Sequence, residues 1–382
     1  MNDQYSFNIG ADVSELEIDA ILTEKQIQDI LKKIFKGSKD IPADVYQKTY
    51  EKLSLGVSTG YGDAKTPNDV QMIWQLKNNV AIFSAFKANH YGETMRDLLI
   101  DKNGDKRVWG DFLKEAKKID ADYNKTRLAA EYNMAIKSAR TAQLWQNFER
   151  DKDVYPNLIY MPSRSATPRE IHKQYYGLIL PVDHPFWDTG MPPQGWGCSC
   201  WVKQTREDAS TGEINIPEET KGLSGNPGKT GMIFTASTLY MASLSKKSKD
   251  EVQAFLNEKK AQNVEMIIYP IGKNYIEIPV TADGRDLIQN IDFLTPFVKK
   301  YKENYSIRPH LGEGKKPELQ KGKMIGDLTT WETAKTIKNY INGNFKQKYG
   351  DQLKQFKEVF VSYDFDGNLS KENYFEMWRA LY

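Results

Sequence analysis

Three neighbouring stretches decide how the chain is read: Ser165-Ala-Thr-Pro-Arg169-Glu-Ile-His172, then Gly177-Leu-Ile-Leu-Pro181-Val-Asp-His184-Pro-Phe-Trp187-Asp188, then Pro192-Pro193-Gln-Gly-Trp196-Gly-Cys198-Ser-Cys200. The apolar run Asn157-Leu-Ile-Tyr-Met161 precedes them, and Tyr175-Tyr-Gly-Leu-Ile-Leu-Pro-Val182 runs through the second. Short β-prone runs broken by Pro and Gly predict an ordered segment of loops and short strands. Phe186, Trp187, Trp196 and Trp201 are the side chains expected to form its local core.

Working outward toward the N-terminus, residues from Thr23 to about Arg150 carry apolar side chains three and four apart, the period of an amphipathic helix. EKQIQDILKKIF, DVQMIWQLKNNVAIFSAFKANHYGETMRDLLI and TRLAAEYNMAIKSARTAQLWQNFER are the clearest examples. Gly37-Ser38, the glycines at 56, 60 and 62, and Asn103-Gly104 punctuate them. Thr66-Pro67 reads as a helix entry, because Pro presets a helical φ and its missing N–H is not needed in a first turn.

Toward the C-terminus, Arg206 to Thr230 is rich in Gly, Ser, Glu and Lys and reads as an exposed linker. After it, helical runs (KDEVQAFLNEKKAQ, DLIQNIDFLTPFVKKYKEN) alternate with strand-like runs (VEMIIYPI, YIEIPV, MIGDLTT, KEVFVSYDF). That pattern suggests a separate α/β or α+β unit. A chain of 382 residues is long for a single core. The expectation is therefore an α+β protein: a mainly helical N-terminal domain ending in a short β/loop Cys-x-Cys segment, plus a smaller α/β C-terminal domain. The boundaries implied are a preamble over 1–42, a main domain over 43–205, a linker over 206–230 and a second domain over 231–382.

With 40% hydrophobic and 27% charged residues, the composition is that of a globular protein. A formal charge of +2 excludes a whole-molecule basic field of the kind that drives non-specific nucleic-acid binding. No apolar run approaches the roughly 20 residues needed to span a bilayer. The first residues lack the basic and apolar regions of a secretion signal, so synthesis in the cytoplasm without membrane insertion is expected. Two cysteines one residue apart make a poor disulfide framework.

Residues two apart on a strand share a face, so Cys198 and Cys200 could present two thiolates to one ion. With His172 and His184 they would form a Cys2His2 set suited to a structural, tetrahedral zinc. The competing reading makes the cysteines small buried hydrophobes and the histidines ordinary loop residues. His90, in a helical stretch, reads as structural. Gly225-Asn-Pro-Gly228-Lys229-Thr230 imitates a phosphate-binding loop but has Leu223 where that pattern needs Gly. Asp364-Phe-Asp366-Gly367-Asn368-Leu-Ser370 imitates a calcium loop with its Gly two positions early and Phe375 in place of the closing Glu.

In order and spacing, the three opening stretches resemble the C-terminal signature of the phage Mu gpF-like minor head proteins. Asn78-Asn79-Val80, Phe83-Ser84-Ala85-Phe86-Lys87 and the helix through Arg140, Thr141 and Ala142 resemble that family too, so the likeness spans roughly residues 45–205. Ser199 departs from it, standing where the family often has Arg. The resemblance implies a minor head protein present in few copies near the portal or inside the capsid. Its implied partners are portal and capsid proteins, with packaged DNA or host RNA as further ones. It would be assembled in the host cytoplasm and carried in the virion.

Proteins of that family often carry a toxin-like C-terminal enzyme. Pro317 to Thr330, the helix at Thr336-Ile337-Lys338-Asn339 and the strand Val359 to Tyr363 resemble the nuclease domains of contact-dependent-inhibition toxins, related to barnase, EndoU and RelE. Metal-free RNA cleavage needs a base for the 2′-hydroxyl, a cation for the phosphorane and an acid for the leaving group. His310, Arg308, Asp327, Lys323 and Thr329 (or Thr330) supply those types, with His310 titrating near neutrality. Thr329 stands where those domains have Lys, which favours a degenerate, binding-only version. A third reading places Lys246, Lys247, Lys249, Lys299 and Lys300 on packaged DNA, with a steep salt dependence. The near-neutral charge argues against it.

Overall fold

The first helix of the described residues caps itself. Thr23 accepts a hydrogen bond from the Gln26 amide (3.3 Å) while the Gln26 side chain accepts from the Thr23 amide (3.0 Å), a reciprocal cap that starts α1 (Glu24–Phe35). Its four buried residues, Ile27, Ile30, Leu31 and Ile34, follow the helical period. This computed structural model describes residues 20–310 and 318–321 together with the strand backbones over 324–330 and 358–364.

Four longer helices follow: α2 (Ala43–Tyr61), α3 (Pro67–Asp97), α4 (Trp109–Ala121) and α5 (Leu128–Asp151). Pro67 opens α3 as expected, and the Asp69 carboxylate accepts the Lys65 and Thr66 amides at 3.0 and 2.8 Å. Between α4 and α5 the helix widens into a π turn over Asp122–Arg127. Helices α2 and α5 approach very closely at Gly60, where an added Cβ would lie 2.1 Å from the Ile136 carbonyl oxygen. Only a residue without a side chain fits there.

The helical core contains charge. Lys87, fully buried on α3, pairs with Glu131 of α5, and the Tyr240 hydroxyl donates to the other carboxylate oxygen at 2.8 Å. Burial pulls the Lys87 ammonium below its ordinary range, and the Glu131 carboxylate opposes that pull. One turn away the Tyr91 hydroxyl donates to Asp120 Oδ1 at 2.7 Å, and the Asn124 amide does so at 2.8 Å.

After α5 come β1 (Asn157–Met161), α6 (Glu170–Lys173), β2 (Ile179–Pro181), α7 (Phe186–Thr189), β3 (Trp201–Thr205) and α8 (Pro227–Thr230). The strands form an antiparallel sheet in the order β2-β1-β3, with Leu158 opposite Leu180 and Tyr160 opposite Val202. These four residues are buried, and Trp145, Phe186 and Trp187 complete the core against them.

The later elements are α9 (Lys246–Lys260), β4 (Met266–Ile271), β5 (Asn274–Pro279), α10 (Leu287–Tyr301), β6 (Tyr305–Ile307), β7 (Leu319–Lys321), β8 (Met324–Thr330) and β9 (Glu358–Asp364). Strands β4 to β9 form one sheet in sequence order, parallel at β5/β6 and β8/β9 and antiparallel elsewhere. Helix α10 packs on β5 through an apolar face that includes Leu287, Ile291, Leu294 and Val298.

The architecture is the α+β class expected. The chain forms two units, one of residues 1–62 and 75–257 and the other of residues 63–74 and 258–382. The division therefore differs from a linker over 206–230. Residues 206–221 are mostly exposed, as expected of that stretch, whereas residues 222–228 are buried against the preceding β/loop segment. The expected helix at 336–339 and the calcium-like turn at 366–370 lie outside the described residues.

Candidate functional site

The β/loop segment folds into a closed knot, and α5 supplies much of its frame. Lys137 Nζ donates to the Cys198 carbonyl (2.9 Å) and to Ser199 Oγ (3.0 Å), while Thr141 Oγ1 donates to the Pro192 carbonyl (2.7 Å). These residues are four apart, on one helix face. The Arg169 guanidinium donates to the Trp196 carbonyl and crosses so near Gly195 that a Cβ there would meet Nη1 at 2.7 Å. The Cys198 amide closes the turn on the Gly195 carbonyl at 2.9 Å.

Trp187 lies at the centre. Its side chain is fully buried, its indole N–H donates to the Pro181 carbonyl at 2.9 Å, and its ring meets Phe186 edge-on at 5.0 Å. The phosphate-loop imitation closes the knot from outside. Asn226 donates to the Trp187 carbonyl (2.9 Å) and accepts the Gly228 amide (3.0 Å), capping α8. Gly228 lies so close to Trp145 that a Cβ would fall 2.3 Å from the Trp145 Cβ. Lys229 reaches the Asp188 carboxylate at 2.6 Å. These glycines and this Lys are structural.

Inside the knot, α6 delivers His172 against the two cysteines. His172 Nδ1 is 3.7 Å from Cys198 Sγ and 3.7 Å from Cys200 Sγ, and the three donor atoms all lie within 4.8 Å of one another. The residues are only 6%, 4% and 8% exposed. A hydrogen bond from the Cys198 thiol, helped by His172 and Tyr160, lowers the Cys200 thiol to about 4. The same hydrogen bond and burial push Cys198 up. The Tyr176 hydroxyl, shielded from solvent, neighbours Cys200.

His184 is not part of this cluster, which corrects the four-residue set. Its Nδ1 accepts the Phe186 amide at 3.1 Å, its amide donates to the Pro181 carbonyl at 3.0 Å, and its carbonyl accepts the Trp187 amide at 3.1 Å. These bonds commit it to starting α7. The cysteines precede β3 rather than lying in it, and the turn at Gly195, not strand alternation, brings both sulfurs to His172.

Beside the cysteines is a hollow of about 100 Å³. Lys137, Arg140 and Arg164 line it with Ser199 and Thr141, and no carboxylate is among its lining residues. Lys137 and Thr141 were not among the expected site residues. Their four-residue spacing on α5 was the available signal.

The proposed nuclease residues are brought together only in part. Arg308 and His310 line a shallow pocket with Asp283, Asn290 and Glu318. The Arg308 amide donates to the Glu318 carbonyl (2.7 Å) and the His310 amide to the Thr281 carbonyl (2.8 Å). Arg285 beside Asp283 holds that carboxyl at about 2. Asp327 and Thr329 lie in β8, in register with Val361 and Tyr363 of β9, and Thr330 ends the strand. Lys323 lies outside the described residues.

Residues 102–203 match the family model described as Phage Mu protein F like protein. This segment is similar to the Phage Mu F-like proteins. It runs from the turn before α4 into β3 and contains Trp187 and the whole His172, Cys198 and Cys200 cluster. The Phage Mu F-like match begins later than residue 45, so Asn78 to Lys87 lie outside it. The chain is also similar to "Putative capsid assembly protein F" of Escherichia phage Mu, 31% identical over 77 residues, which is 20% of this chain and 18% of that protein. It is similar to "Mu-like prophage FluMu F protein" of Haemophilus influenzae, 30% identical over 105 residues, 25% of this chain and 24% of that one. The chain thus spans less than a quarter of the length of either relative. No solved structure matches it. Among the described residues no helix is long and apolar enough to cross a membrane.

Proposed function

We propose that this chain acts in phage head morphogenesis as a minor head protein, with portal and capsid subunits as its partners. The observation that carries the reading is that the Phage Mu F-like segment takes in α4, α5, strands β1 and β2, the start of β3, and the whole Trp187, His172, Cys198 and Cys200 region. A relative whose name is putative capsid assembly protein supports the same role. On this reading the chain meets its partners in the host cytoplasm during assembly and is retained in the particle.

The test is a phage or prophage that carries this gene, with the gene deleted. Deletion is expected to reduce infectious particles by at least tenfold, and antibody against the chain should detect it in purified wild-type heads. Normal titres from the deletion, with no chain in wild-type particles, would overturn the assignment.

A second reading applies to the C-terminal unit, where Arg308 and His310 share a pocket with Glu318 and Asp283. A cation, an imidazole and carboxylates are the group types that metal-free RNA cleavage uses. On this reading the packaged chain is an RNA-cleaving effector. Full-length chain expressed from a tightly controlled promoter should then arrest growth and fragment RNA, and His310→Ala should relieve both. Intact RNA at high dose removes this reading and leaves the head-assembly role untouched.

A further inference from the structure

We propose that His172, Cys198 and Cys200 bind one zinc ion, through His172 Nδ1 and the two sulfurs, and that this ion fastens α6 to the turn that precedes β3. Zinc bonds of about 2.3 Å to sulfur and about 2.0–2.1 Å to nitrogen, at tetrahedral angles, separate nitrogen from sulfur by about 3.6 Å. The structure has 3.7 Å to each of the two sulfurs from the same ring nitrogen. One ion bonded to all three atoms accounts for both distances at once.

The donor chemistry agrees. Two thiolates and an imidazole are ligands that zinc prefers over oxygen-seeking cations such as magnesium or calcium. All three residues are nearly sealed from solvent, as structural sites are. The surroundings hold the ligands in place without an ion: Arg169 fixes the turn through the Trp196 carbonyl, and Lys137 fixes the Cys198 carbonyl and Ser199. Such outer contacts set ligand orientation in metal sites. The fourth position is open to the Tyr176 hydroxyl, which neighbours Cys200, or to a water from the adjoining hollow.

The two cysteines belong to one tripeptide, so their mutual approach demands little of the fold. The informative ligand is His172, brought from a separate helix 26 residues earlier than Cys198. His184 serves as an internal control, being in the same knot but tied to the Phe186 amide.

The test uses the full-length chain purified under reducing conditions. Elemental analysis should find about one zinc per chain. Replacing zinc with cobalt(II) should give thiolate-to-cobalt charge transfer in the near ultraviolet and intense visible bands of a tetrahedral site. His172→Ala and Cys200→Ser should lose both signals, and His184→Ala should keep them. If a variant does not fold, thiol titration of the wild-type chain decides instead. Both thiols should react at least tenfold faster after a strong chelator is added. Folded wild-type chain that takes up neither zinc nor cobalt, or whose thiols react at one rate with and without chelator, would overturn the proposal. The three residues would then be a buried hydrogen-bonded cluster.

Discussion

Replacing Trp187 with Ala is expected to destabilise the N-terminal unit by about 3–5 kcal/mol, the range for removing a fully buried large aromatic side chain. Three effects add. The indole leaves a cavity among Trp145, Phe186 and the sheet residues. The edge-on contact with Phe186 is lost. The Pro181 carbonyl loses the indole N–H and keeps only the His184 amide. Urea unfolding followed by far-ultraviolet circular dichroism should show the first transition moving to lower denaturant with its slope unchanged. Trp187→Phe, which keeps a ring but not the N–H, should cost less than half as much. A loss below about 1 kcal/mol for the Ala variant would mean that the knot is not cooperative with the rest of its unit.

A loss of similar size is expected from Glu131→Ala, by a different route. Removing the carboxylate leaves the Lys87 ammonium buried without its charged partner, a situation that costs about 3–5 kcal/mol. It also removes the acceptor for the Tyr240 hydroxyl. Lys87→Met combined with Glu131→Leu should recover most of the loss, because apolar residues of similar volume avoid the desolvation of both charges. Thermal unfolding of the two single variants and the double variant forms the cycle. If the double variant is as unstable as the sum of the singles, the pair is not coupled and burial of Lys87 is harmless by itself.

The helices were legible because each buries one face. The three- and four-residue spacing marked α1, α3 and α5, and the capping side chain of Thr23 lies where the apolar pattern begins. Runs such as Asn157–Met161 and Met266–Ile271 were legible as strands through their β-prone composition. Strands β6 and β7, three residues each, are too short to show a period and form only because β5 and β8 offer edges. The π turn over Asp122–Arg127 has no local signature, and its Tyr123 makes tertiary contacts with His90 and Tyr91.

In the candidate site, composition suggested that Cys198 and Cys200 act together but could not rank His172 against His184. The distinction depends on the hydrogen bonds that each histidine's neighbours offer. The 206–230 stretch looked like a linker because its side chains are small and polar. Those properties instead let Gly228 approach Trp145 and let Asn226 reach the Trp187 carbonyl. Over residues 222–228 polarity in the sequence did not mean exposure, although residues 206–221 are mostly exposed.

Helix α3 runs unbroken from Pro67 to Asp97, yet residues 63–74 belong with the C-terminal unit and the remainder with the N-terminal one. Val70 and Ile73 are buried there, and Trp74 packs on Gly284. A gene fragment starting at residue 231 or 258 therefore omits part of that unit's own interior. An exchange of C-terminal halves between two related chains would keep that interior intact only if these twelve residues travelled with them, as two separated pieces of coding sequence rather than one.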